Sequence, residues 1–147
     1  IKIQDVPDKV TDALLAIEDY RFRDHIGIDP YRIVGAVVKN FTSDKTEGAS
    51  TITQQLAKNL FLYKDKTYTR KVNEWAVALQ IERLYTKDQI LEMYMNYVFL
   101  GAGSYGFEAG SRTWFGKSLK DLTLDEAALL ALRLAEGDVL GAEVLGR

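Results

Sequence analysis

The chain has 147 residues, of which 47% are hydrophobic and 27% charged, with a formal net charge of -2. This is the profile of a single globular domain, not of a disordered or fibrous segment. Zero cysteines and a single histidine, His25, exclude disulfide scaffolds, thiol nucleophiles, zinc fingers and iron–sulfur sites, leaving a hard, magnesium-type ion as the only metal candidate. The near balance of charge excludes a dedicated nucleic-acid binder.

Taken in chain order, helical spacing dominates. Pro7 suits a first helical turn, and Val10, Ala13, Leu14 and Ile17 predict a helix ending near Tyr20. Asp29-Pro30 starts a second helix whose apolar face is Ile33, Val34, Val37, Val38 and Phe41. The polar stretch from Thr42 to Gly48 reads as a mobile loop. Ser50 is placed to cap a third helix carrying Ile52, Leu56 and Leu60, and a fourth runs from about Thr69 to Leu84.

Thr86 with Gln89, and Thr123 with Glu126, have the spacing of reciprocal capping boxes. Between them Gly101, Gly103 and Gly106 mark a turn before a short helix over Phe107–Trp114. Sustained alternation of apolar and polar residues is absent, which predicts a mainly α fold. The longest strongly apolar stretch, Ala127 to Leu132, is too short to span a bilayer. The start at Ile1, without methionine or a signal-peptide pattern, reads as a segment of a longer product.

Three clusters carry potential chemistry. In Glu18-Asp19-Tyr20-Arg21-Phe22-Arg23-Asp24-His25, a half-buried glutamate at a helix end can exchange a proton near neutral pH. The competing reading makes Glu18 and Asp19 surface acids paired with Arg21 or Arg23, and makes His25 a structural donor that holds the loop before Gly27. In Gly48-Ala49-Ser50-Thr51-Ile52-Thr53-Gln54-Gln55-Leu56-Ala57-Lys58, a glycine loop, hydroxyls at a helix start, an amide and an ammonium can converge on one anion. Its alternative is a capped helix with a polar outer face. In Arg70-Lys71-Val72-Asn73-Glu74, Lys71 and Glu74 share one side, while Arg70 and Glu74 have the spacing of a simple helical ion pair. Lys58, Lys64, Lys66, Arg70 and Lys71 surround the single acid Asp65, so this stretch is locally basic.

These strings, with Ile90, the glycine turn and the Thr123-Leu124-Asp125-Glu126-Ala127-Ala128 helix, resemble the peptidoglycan glycosyltransferase domain of class A penicillin-binding proteins and monofunctional transglycosylases. The likeness covers about Pro7 to Ala131. It implies a lysozyme-like, mainly α fold filling one domain over 1–147. It also implies polymerisation of lipid II into β-1,4-linked glycan at the extracytoplasmic, periplasmic face of the cytoplasmic membrane, with release of lipid diphosphate.

Position by position, the resemblance makes Glu18 the general base and Glu74 the second glutamate, beside the diphosphate and a possible Mg2+ or other divalent cation. Ser50, Gln55, Lys58, Arg70 and Lys71 match pyrophosphate-contacting or glutamate-orienting positions, and Lys66 stands where an arginine is common. Asp19, His25, Thr51 and Gln54 complete the candidate substrate-binding set. Ala49 replaces a glycine usual before the serine.

The implied partners are lipid II, the lipid-linked glycan chain and the membrane surface, with a transpeptidase domain elsewhere in a longer protein. This chain has no Ser-x-x-Lys and no Lys-Thr-Gly. The alternatives are a lysozyme-like glycan hydrolase, for which a phosphate clamp has no purpose, and a catalytically silent lipid-linked glycan-binding domain. The segment 132–147 lacks the proline-containing exit usual in the family. Val139, Leu140, Val144 and Leu145 predict one or two further helical turns there, packed on the domain.

Overall fold

Helical periodicity is realised throughout the described residues. The computed structural model describes residues 1–42, 48–62 and 69–145, with side chains as far as Leu134. Among the described residues there are seven α-helices: α1 (Asp8–Glu18), α2 (Pro30–Thr42), α3 (Ile52–Phe61), α4 (Thr69–Leu84), α5 (Lys87–Tyr97), α6 (Phe107–Phe115) and α7 (Leu124–Leu145). The only extended pairing among them is an isolated antiparallel bridge between Phe99 and Tyr105. The mainly α expectation therefore holds. The loop expected from Thr42 to Gly48 falls mostly outside the described residues, and Lys66 falls outside them altogether.

The chain divides into two compact units, Ile1–Tyr20 with Asp88–Arg147, and Arg21–Lys87. In the first, α1 packs on α7 through Val10 and Leu14, one helical turn apart and fully buried, with Leu130 and Ala131 also inaccessible on α7. Ile90, Leu91, Tyr94 and Met95 bury one face of α5. Each large side chain withdrawn from water contributes about 1.5–3 kcal/mol before entropy is counted. Pro7 is the residue before α1, not its first turn, and the helix stops at Glu18 because Asp19 turns to φ -161° and ψ 74°.

The glycine turn between α5 and α6 is a run of left-handed residues, Gly101 (φ 85°), Ala102 (φ 50°) and Gly103 (φ 73°). It is closed by Leu100 N–H to the Ser104 carbonyl at 2.9 Å and Gly106 N–H to the Val98 carbonyl at 2.7 Å. Gly106 is required twice over: its φ is +87°, and a Cβ there would lie 2.7 Å from the Asn96 carbonyl oxygen. The segment after Leu134 is the continuation of α7 itself, since a helix carries Gly137 and Gly141 at a cost of about 1 kcal/mol each. The expected packing of Val139 to Leu145 lies outside the described side chains.

In the second unit α3 packs on α4, burying Ile52, Leu56 and Ala57 with Ala78 and Ile81. The apolar face of α2 behaves differently. Core packing was the simpler expectation for it, yet of its expected residues Val34, Val37, Val38 and Phe41 are 63%, 50%, 54% and 88% exposed and Ile33 is half-buried, while Tyr31, outside the expected set, is 76% exposed.

The capping box at the start of α7 is present: Glu126 N–H donates to Thr123 Oγ1 at 3.3 Å, and Thr123 N–H to Glu126 Oε2 at 2.9 Å. The Lys117 ammonium, 2.8 Å from Glu126 Oε1, is the main influence holding this carboxyl below its ordinary 4.5, followed by the Thr123 N–H. A depressed carboxyl stabilises the fold above its unfolded pKa, and the contribution is lost as pH falls through the folded value. Glu126→Gln is therefore expected to lower the melting temperature at neutral pH, with the deficit shrinking as the pH drops below 4.5. A deficit that is flat with pH would assign the helix start to Thr123 alone.

Candidate active site

The start of α3 is organised by one hydroxyl. Thr51 Oγ1 accepts the Gln54 N–H at 3.0 Å and donates to the Gly27 carbonyl at 2.7 Å, while Thr51 N–H reaches Gln54 Oε1 at 2.7 Å. The helix cap is thus Thr51, one residue beyond the expected Ser50. Thr51 and Gln54 are buried, and these bonds join them to each other and to Gly27. Their contribution to the site is to fix where the chain enters α3.

Ser50, released from capping, faces α4. The Lys71 ammonium donates to Ser50 Oγ at 2.9 Å and to Glu74 Oε1 at 2.9 Å. Glu74 is 2% exposed, so its charge requires a partner, and that partner is Lys71 at i,i+3, not Arg70 at i,i+4. The Lys71 side chain is 49% exposed, so one end of this Ser50–Lys71–Glu74 arm is buried and the other meets solvent. An ammonium has three donors, and the arm uses two of them.

Lys58 and Gln55, half-buried, lie three apart on α3. Arg70 stands at the start of α4 with Nε buried and without a hydrogen-bond partner among the described residues. The arm is tied to α2 by Arg32, whose guanidinium donates to the Ser50 carbonyl at 3.4 Å and the Gly48 carbonyl at 3.3 Å. The start of α2 is held by fully buried Asp29, which accepts the Tyr31 N–H at 3.2 Å and Arg21 Nε at 3.1 Å. Arg21 is thus the partner of Asp29, an acid outside the pairs weighed from spacing.

His25 is buried and its Nδ1 accepts the Gly27 N–H at 3.0 Å. It holds the turn before Gly27, the structural role that its isolation in the sequence allowed. Glu18 and Asp19 belong to the other unit. Glu18 is the last residue of α1, half-buried, with Oε1 inaccessible to solvent, and Asp19 is fully buried with its N–H on the Leu15 carbonyl at 3.0 Å.

Glu74 is the residue to which the resemblance assigns a metal. Its Oε1 already receives Lys71, and among the described residues no group of three or more His, Asp or Glu side chains is placed to hold an ion. The described side chains do not fit a dedicated ion cage.

Sequence reasoning missed Thr53, Glu82 and Lys87, three polar residues that meet around His25. The signal available was a buried threonine on the apolar side of α3, which periodicity alone assigns to the core.

A family profile described as transglycosylase matches residues 1–139, beyond both ends of the likeness seen in the motifs. Over 131 residues the chain is 50% identical to a Cupriavidus necator protein that carries a transglycosylase name, covering 89% of this chain and 57% of that protein. It is 48% identical over 132 residues to penicillin-binding protein 1A of Aquifex aeolicus and to penicillin-binding protein 1F of Bacillus subtilis, covering 89% of this chain and 18% of each. The chain therefore spans a little over half of the first relative and less than a fifth of the other two.

Thr51→Val keeps the shape of the cap residue but strands the Gly27 carbonyl and the Gln54 N–H. The expected cost is about 1–3 kcal/mol of stability in chemical denaturation, with Thr51→Ser close to wild type. Equal stability of the valine variant would dissociate the Gly27 turn from the α3 start.

Proposed function

The chain belongs to the transglycosylase family, and from that membership we propose that it is a peptidoglycan glycosyltransferase working through Glu18 and the Ser50–Lys71–Glu74 arm. The 4-hydroxyl of an incoming lipid II attacks the anomeric carbon of the growing chain. An alcohol is a weak nucleophile at neutral pH, so Glu18 takes its proton as the new C–O bond forms. The bond from the anomeric carbon to the diphosphate breaks with its electrons leaving on oxygen. Attack from the opposite face turns an α-linked donor into a β-1,4-linked product, and no covalent enzyme intermediate is required.

The observation that carries this reading is the Lys71 ammonium, anchored by Ser50 and the buried Glu74 while half its side chain remains accessible. A pre-positioned cation stabilises charge that accumulates on a leaving diphosphate without reorganising at the moment of reaction. Lys58, Arg70 and Lys66 add positive charge along the same stretch of sequence, with Gln55 as an amide donor. A neutral sugar leaving group would not call for such a set, which favours transfer over glycan hydrolysis. Asp19 and His25 are assigned to holding the segments on which these groups sit. A divalent cation at Glu74 would have to draw most of its ligands from the diphosphate and water.

The exposed apolar face of α2 supports a membrane-surface location for this chemistry. Tyr31, Val34, Val37, Val38 and Phe41 form a stripe of the kind that lies in the headgroup and acyl boundary. Among the described residues no helix is long and apolar enough to cross a membrane. The extracytoplasmic leaflet is proposed as the side on which this site works, from the family membership, with the lipid tail of the substrate held there. A transpeptidase domain elsewhere in the full-length protein is proposed from the penicillin-binding relatives, which are much longer than this chain.

Glu18→Gln is expected to reduce lipid II polymerisation by about 10²–10⁴-fold, because the amide keeps the shape and cannot take the proton. A melting curve on the same sample should match wild type; substantial polymer would remove Glu18 from its role. Val38→Glu with Phe41→Glu should abolish co-sedimentation with phospholipid vesicles, since each exposed side chain contributes about 1.5–3 kcal/mol when buried in the lipid boundary. Undiminished sedimentation of the double variant would place the membrane contact elsewhere.

A further inference from the structure

The helices that carry the Ser50–Lys71–Glu74 arm also carry a second polar cluster, contained within residues 21–87. Glu82 Oε1, on α4, accepts Thr53 Oγ1 of α3 at 2.8 Å and the Lys87 ammonium at 2.7 Å, and lies 3.9 Å from His25 Nδ1. Lys87, the first residue of α5, also donates to the His25 carbonyl at 2.6 Å, and its ammonium sits 4.6 Å from the centre of the buried Phe22 ring. The Glu82 and Lys87 side chains are 9% and 20% exposed.

An ion pair withdrawn this far from water is not the cheapest way to fill space, since apolar side chains of similar volume are often as stable or more so. What the cluster does provide is direction. It pins the His25–Gly27 turn, and the turn has no freedom of its own: His25 Nδ1 accepts the Gly27 N–H at 3.0 Å, and Thr51 Oγ1 donates to the Gly27 carbonyl at 2.7 Å. Gly27 has φ +111°, and a Cβ there would fall 2.9 Å from the Ala78 carbonyl oxygen on α4. From Thr51 the next residue back is Ser50, which meets Lys71.

We infer that Thr53, Glu82 and Lys87 are positioning residues for the diphosphate-binding arm, acting through the His25–Gly27 turn and the Thr51 cap. The inference rests on the reading of that arm as the site of a lipid diphosphate. The cluster touches no substrate. It sets the register of the α3 start against α4, and hence whether the Lys71 ammonium is held at both Ser50 and Glu74.

The test measures farnesyl diphosphate binding by calorimetry, with a melting curve for every variant. Thr53→Val and Lys87→Met should weaken binding by about tenfold, while Thr53→Ser and Lys87→Arg, which restore the hydroxyl or the charge, should stay within about twofold of wild type. Ile81→Val, a core change on the same helix as Glu82, serves as the stability control and should bind like wild type even with a lowered melting temperature. If Thr53→Val and Lys87→Met bind as tightly as that control, the cluster only supports the fold and the inference is overturned. If wild type fails to bind farnesyl diphosphate, or Lys71→Ala binds as well as wild type, the reading of the arm itself fails and the inference falls with it.

Discussion

A carboxylate at 2% exposure, Glu74, is the constraint from which the arrangement of α3 against α4 follows. A buried charge is costly unless it is paired and hydrogen-bonded. Glu74 therefore needs Lys71, and the ammonium, once held there, draws Ser50 into contact with it. Ser50 can make that contact only because Thr51 takes over the capping of α3. The same logic recurs at Asp29 with Arg21 and at Glu82 with Lys87. In each case an acid that water does not satisfy organises the neighbouring backbone, and the helices are fixed relative to one another at polar points as well as by apolar packing.

Local features were legible in the sequence because they are decided within a few residues. The bounds of α4, the reciprocal cap of Thr123 with Glu126 and the glycine turn all depend on neighbours no more than a few positions away. The cap of α3 was displaced by one residue because Ser50-Thr51 offers two adjacent hydroxyls. Only Gln54, three residues beyond Thr51, distinguishes them, and it does so through a bond that spacing can suggest for one register alone. The continuation of α7 through Gly137 and Gly141 shows the reverse: glycine punctuates a helix only when nothing favours its continuing.

The site was legible as a list and not as an arrangement. Glu74, Lys71 and Ser50 could be named from their strings, but the bond from Lys71 to Ser50 crosses 21 positions and depends on α3 meeting α4. Lys87 reaches the His25 carbonyl across 62 positions, which no periodicity encodes. Spacing allows Glu74 a partner at i,i+3 or at i,i+4, and the structure pairs it with Lys71 and not with Arg70. Periodicity also identified the apolar face of α2 correctly without revealing its destination, since an amphipathic stripe fits a core or a lipid surface equally well.

That destination bears on the chemistry. A lipid-linked donor has two ends, an apolar tail and a diphosphate, and a catalyst must hold both if the reacting carbon is to be placed. With α2 as the proposed lipid contact and Lys71 as the proposed diphosphate contact, the two requirements fall on connected elements within residues 21–87. Arg32 belongs to α2, whose outer face is apolar, and its guanidinium holds the carbonyls of Gly48 and Ser50 at the entrance to α3. With α2 seated in the lipid boundary as proposed, the depth of the tail and the position of the Lys71 ammonium are no longer independent. The same arginine also lies one turn from Asp29, which is held by Arg21, so that α2 is anchored at its first turn and exposes Val34, Val37, Val38 and Phe41 beyond it. Because Arg32 and Asp29 both act at that first turn, a lipid contact along the apolar side of α2, as proposed, would be transmitted to the entrance of α3 and so to the Ser50–Lys71–Glu74 arm.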